Sequence, residues 1–174
     1  MNLHKKIWLS LVMLIALLAA LGNPGAASAD SRNFVAHLTG GDEVPLRDTL
    51  ATGQAFFQVS KDGSEIRYRL IVANIDNVVA SHIHVGPAGM NGSVVAFLFG
   101  SVAPGGGRTD GVLAEGTITA ANLVGPLAGH PLSDLIAAME ADGAYVNVHT
   151  NDGIAPPNTG PGDFPGGEIR GQIQ

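Results

Sequence analysis

The sequence predicts an all-β domain, an antiparallel Greek-key β-sandwich or barrel of about eight strands with one short helix. Three observations lead there. Apolar residues recur with period two through most of the chain, which is the spacing of half-buried strands. Glycine and proline are abundant, with 24 and 10 residues respectively, so turns are frequent. Only one stretch has helical spacing.

The first strand is Phe34, Ala36 and Leu38 facing in, with Val35 and His37 facing out. Ala55, Phe57 and Val59 then alternate with Gln54, Phe56 and Gln58. Ile66, Tyr68, Leu70 and Val72 alternate with Glu65, Arg67, Arg69 and Ile71. Lys61-Asp62-Gly63 joins the last two as a short glycine-containing hairpin. A fourth strand covers Ala80-Ser81-His82-Ile83-His84-Val85, and others are expected over 93–99, 112–119, 144–149 and 168–173. Gly-rich connections fall at 86–92, 100–111 and 151–167, and 122–127 reads as a turn or a single helical turn. Leu132, Leu135, Ile136 and Met139 lie at helical spacing after Ser133, a good N-cap, and before Gly143. A helix over 133–141 is therefore expected.

The first 29 residues read as a secretory signal peptide, leaving residues 30–174 as one domain. Lys5 and Lys6 make a basic start, Ile7 to Leu21 is apolar apart from Ser10, and Ala27-Ser28-Ala29 is an A-x-A-type cleavage site. The expected product is secreted or periplasmic, cleaved after Ala29, with no membrane attachment. Without Lys5 and Lys6, seven basic side chains stand against fifteen acidic ones, a net charge of −8. That balance argues against nucleic acid as a partner. No cysteine is present. Disulfide stapling, blue-copper ligation and Cys-ligated iron–sulfur clusters are therefore excluded. Asn91-Gly92-Ser93 fits a glycosylation acceptor in a eukaryotic host.

The chemistry concentrates on two strands. Side chains alternate across a strand, so His82 and His84 share one face while Ile83 and Val85 take the other. Their Cβ atoms are about 6.6 Å apart, close enough for two imidazoles to lean onto one ion. In Tyr145-Val146-Asn147-Val148-His149 the valines take the core face, and Tyr145, Asn147 and His149 take the other. If the two strands pair, His82, His84 and His149 form a cradle suited to copper or zinc. Tyr145 and Asn147 are candidates to hold the imidazoles by hydrogen bonds. Asp152 is a possible oxygen ligand, and His37 is a weaker one on an outward face. His130 precedes Pro131 and suits capping or solvent. Glu43 sits in Gly41-Asp42-Glu43-Val44-Pro45, and Glu168 and Arg170 share the polar face of the last strand. Glu43, Glu168 and Arg170 are further candidates to ligate or support the site, against a plainer reading as a cross-strand or same-face ion pair, worth little if exposed. There is no G-x-S-x-G elbow, no P-loop and no H-E-x-x-H.

Several segments resemble one family. Phe34-x-Ala36-x-Leu38-x-Gly40 leading to Glu43-Val44-Pro45, then Ala51-Thr52-Gly53-x-Ala55, is similar to the opening of the CHRD domain. Ser81-His82-Ile83-His84-x-Gly86-Pro87-Ala88-Gly89-x-Asn91-Gly92 resembles its central A-H-I-H motif. Leu132-x-Asp134-Leu135, Ala144 to Thr150 and Gly166 to Ile173 resemble its later ones. The resemblance covers nearly the whole domain. It implies an exported β-rich fold in which the three histidines belong to the family motif, and it implies no defined biochemical role. The loop after His149 is longer than the family's usual link. At fold level the scaffold also resembles copper–zinc superoxide dismutase, but His37, His82, His84, His130 and His149 are too few for its dinuclear site. Three functions are in competition. The first is a non-enzymatic domain holding copper or zinc through His82, His84 and His149. The second is a metal-free module binding an extracellular protein or glycan. The third is a mononuclear copper redox enzyme.

Overall fold

The computed structural model describes residues 32–154, 156 and 160–174. The signal-peptide reading lies outside them. Eight antiparallel strands form one nearly closed, barrel-like sheet. They are β1 (Asn33–Thr39), β2 (Thr52–Val59), β3 (Ile66–Asp76), β4 (Val78–Val85), β5 (Ser93–Gly100), β6 (Arg108–Ile118), β7 (Ala144–Thr150) and β8 (Ile169–Gln172). The order is β5-β4-β7-β8-β1-β2-β3-β6. β1, β2 and β3 are successive neighbours, whereas β3–β6, β4–β7 and β8–β1 join strands distant in sequence. These crossovers are Greek-key in kind.

Period two sets the interior. Phe34, Ala36, Leu38, Ala55, Phe57, Val59, Ile66, Leu70 and Val72 are all buried in one apolar cluster. Ile83, Val146, Val148 and Ile169 complete it from β4, β7 and β8. The helix α1 (Leu132–Glu140) adds Leu132, Leu135, Ile136 and Met139. α1 begins one residue earlier than Ser133 would place it, with Pro131 as its N-cap. Proline suits that position because the first helical turn leaves its N–H groups unused.

The strand limits differ from the sequence expectation at two places. β3 runs on to Asp76, because Asn74 at φ 56° and a register shift between Val72 and Ile75 bend the strand and return Ile75 to the core. β6 starts at Arg108, inside the stretch read as a glycine-rich loop. There Arg108 bonds Asn74 and Asp110, so polar contacts supply what apolar alternation does not. The 122–127 turn is resolved as two 3₁₀ turns, Ala120–Asn122 and Gly125–Leu127.

Three loops fold onto the outer face of β4, β7 and β8. One spans 40–47 and starts with a 3₁₀ turn, Gly40–Asp42. Another spans 86–92, and the third carries 160–167. They bury polar residues that the alternation assigns to solvent: His84, Asn147, Glu43, Glu168 and Arg170 are each 8% exposed or less.

Candidate metal centre

Register brings the histidines together. β4 pairs with β7 so that His82 lies opposite Asn147, His84 opposite Tyr145 and Ala80 opposite His149. One ring nitrogen from each of His82, His84 and His149 lies within 4.8 Å of the others. His82 Nδ1 and His149 Nε2 are 3.1 Å apart. Two imidazoles on one tetrahedral ion with bonds of 2.0–2.1 Å would hold their nitrogens about 3.3 Å apart.

The backbone selects the nitrogens. His84 Nδ1 lies 3.0 Å from the Gly92 carbonyl oxygen, and His149 Nδ1 lies 3.0 Å from that of Pro165. A carbonyl oxygen only accepts, so both rings carry the proton on Nδ1 and present a lone pair at Nε2. His149 Nε2 meets His82. His84 Nε2 is buried and has no hydrogen-bond partner. Ring orientation by a carbonyl on the distal nitrogen is how metal-ligating histidines are held.

Burial keeps these imidazoles neutral. It pushes His82 down to about 4, with the neighbouring His149 and His84 adding to the effect. Burial also lowers His84 and His149, against the opposing hydrogen bonds from Gly92 and Pro165. Neutral imidazole is the form that ligates metal, so no proton need be displaced near neutral pH.

A stack supports His84. Its ring lies 4.8 Å from that of Tyr145, 12° from parallel. On the other side of Tyr145 the Arg170 guanidinium carbon is 3.5 Å from the ring centroid. Arg170 is anchored by donating to the Pro87 carbonyl at 3.0 Å and is 1% exposed. The Tyr145 hydroxyl accepts from the Gly92 N–H at 3.0 Å, so it fixes the residue whose carbonyl orients His84. Gly92 must be glycine, because a Cβ there would fall 1.8 Å from the Val85 carbonyl oxygen. On the solvent side Phe97 places its ring edge-on to His82 at 4.7 Å.

The remaining candidates lie elsewhere. His37 is exposed on β1, opposite Gln54, and does not join the cluster. Asp152 also stays apart, its carboxylate accepting from the Ile154 N–H. His130 bonds Asp134 at the start of α1. Tyr145 and Asn147 were expected to hydrogen-bond imidazoles, and neither does. Tyr145 stacks on His84, and Asn147 donates to Glu43 Oε2 at 3.3 Å. The Glu168–Arg170 ion pair of the plainer reading is not formed, and Glu43, Glu168 and Arg170 do not join the histidine cluster. Glu168 and Arg170 are both buried, and Glu168 instead accepts from the Thr49 and Thr150 hydroxyls at 2.6 Å each and from the Gly162 N–H at 2.9 Å. Sharing a face put them near each other, but the covering loops brought better donors to Glu168. Asn91, the possible glycan acceptor, donates to the Val44 carbonyl at 2.8 Å, so its amide ties two loops together.

Comparison with known proteins gives one positive result. The family model described as the CHRD domain matches residues 34–173. No curated protein and no solved structure matches the chain. Domains of this type occur in extracellular or secreted proteins. Among the described residues, no helix is long and apolar enough to cross a membrane.

Proposed function

We propose that this chain, which belongs to the CHRD domain family, is an exported, non-enzymatic domain that binds one copper or zinc ion through His82, His84 and His149. Residues 1–29 would be its export signal and 30–174 the binding domain. The observation that carries the reading is the buried, unpartnered His84 Nε2 beside two other imidazoles. A metal-free cluster accounts for part of the geometry, since His82 Nδ1–H can donate to His149 Nε2. It leaves His84 Nε2 buried without a partner, a loss of about 1–3 kcal/mol. An ion satisfies all three lone pairs at once. Three protein ligands leave a fourth position for water or an external group.

Calorimetric titration of the protein lacking residues 1–29 with Cu(II) and with Zn(II) tests this. One ion per chain is expected to bind, with at least a hundredfold weaker affinity in the His82→Ala, His84→Ala double variant. Circular dichroism would establish that the variant is folded. Equal affinity in a folded double variant overturns the reading.

A further inference from the structure

Glu43, Asn147 and Gly167 form a second buried polar cluster, apart from the histidines. Glu43 and Asn147 are 4% and 3% exposed and lie side by side. Asn147 Nδ2 donates to Glu43 Oε2. The other two atoms of that pair, Glu43 Oε1 and Asn147 Oδ1, are both buried and both lack a partner. They also lie together: a Cβ built on Gly167 would stand 2.6 Å from the first and 2.5 Å from the second. Two acceptors facing each other out of water is an unfavourable arrangement. Exchanging the amide oxygen and nitrogen does not relieve it. One amide offers one donor edge and one acceptor edge, whereas a carboxylate offers two acceptors.

We infer that Glu43 is a neutral carboxylic acid in the folded protein, its Oε1–H donating to Asn147 Oδ1, and that this cyclic acid–amide pair is a proton-dependent latch holding the 40–47 loop against β7. One proton satisfies both orphaned atoms and closes the second hydrogen bond of the ring. Burial pushes Glu43 up to about 7, even though Arg170, Arg47, the Val44 N–H and Asn147 all act to lower it.

The surrounding charges fit a neutral acid. Among the described residues neither arginine pairs with Glu43. Arg170 on β8 donates to Pro87 and stacks on Tyr145, and Arg47 in the same loop donates through Nε to the Gly167 carbonyl at 3.1 Å. Glu168 beside Gly167 has both its oxygens occupied by other donors. From β4 the residue opposite Asn147 is His82, which is neutral near pH 7. Gly167, at φ +122°, leaves the space that lets the pair close.

The protonated carboxyl is the bonded form. The folded midpoint is raised above the ordinary value. The latch is therefore fully made at acid pH and is lost as pH rises through about 7. Its loosening would reach beyond the loop, because Asn91 ties Val44 to the 86–92 segment whose Gly92 carbonyl orients His84. The inference does not depend on a metal being bound.

A ¹³C-glutamate NMR titration of the protein from pH 5 to 9 tests it, with thermal melts of Glu43→Gln beside it. Glutamine presents the same donor and acceptor edges as the neutral acid. One Glu Cδ resonance, absent from the Glu43→Gln spectrum, is expected to titrate near pH 7. The variant is expected to match the parent Tm at pH 5 and exceed it at pH 8. If every Glu Cδ is already ionised at pH 6, the inference fails. It fails equally if Glu43→Gln melts well below the parent at pH 5.

Discussion

Glu43 and Glu168 are two buried carboxyl groups close to Gly167, and they are handled in opposite ways. Glu168 receives three donors, two hydroxyls and one backbone N–H, distributed over both oxygens. Every donor that reaches it finds an oxygen free to accept. Glu43 receives one side-chain donor, on one oxygen, with the Val44 backbone N–H also acting on the carboxyl, and its other oxygen lies beside an unpartnered amide oxygen. That is a site built for an acid. Burial alone does not decide the state of a carboxyl group. The count and direction of donors around it do.

Three substitutions break or sharpen this contrast. Glu168→Ala leaves the Thr49 and Thr150 hydroxyls and the Gly162 N–H without their acceptor inside the protein. Urea unfolding at pH 7 should show a loss of about 3–5 kcal/mol. A loss under 1 kcal/mol would mean that Glu168 is not the hub of that network. Gly167→Ala attacks the other carboxyl. The added Cβ meets Glu43 Oε1 and Asn147 at 2.5–2.7 Å, on a backbone at φ +122° that side chains rarely adopt. The expected cost is about 2–3 kcal/mol. A melt unchanged from the parent would show that the acid–amide pair has room to spare. Thr49→Val removes one donor from Glu168 and an acceptor from the Ala51 N–H. It should lower stability by about 1–2 kcal/mol, read by the same unfolding curve. Its effect should be smaller than that of Glu168→Ala, since two donors remain.

These residues also mark where the sequence is legible. Alternation is local, so it assigns faces well. It places Phe34, Ala36 and Leu38 inside and gathers His82, His84, Tyr145, Asn147 and His149 on one outer face. The His82–Asn147 register then brings three imidazoles together, as pairing of those two strands requires. Alternation cannot tell an outer face in water from one under a loop. Glu43 stands in a stretch with no alternation to assign it a face, and Glu168 and Arg170 share a polar face that local pattern cannot mark as covered. All three are buried because segments distant in sequence, 40–47, 86–92 and 160–167, close over β7 and β8. The only local hint is the glycine spacing. Gly92 and Gly167 sit where a Cβ would strike a neighbouring strand or side chain. The extension of β3 past Asn74 was hidden for a similar reason, since a residue at positive φ interrupts the period of two without ending the strand.

The stack of Arg170, Tyr145 and His84 has a consequence for observing the protein. The chain's one tryptophan is Trp8, outside the described residues, which hold only Tyr68 and Tyr145 as phenol fluorophores. Tyr68 lies across the barrel wall from the histidines, its hydroxyl donating to the Leu98 carbonyl. Tyr145 is sandwiched between a guanidinium and an imidazole. The domain thus carries a native fluorophore stacked on His84, placed to report on the surroundings of that imidazole.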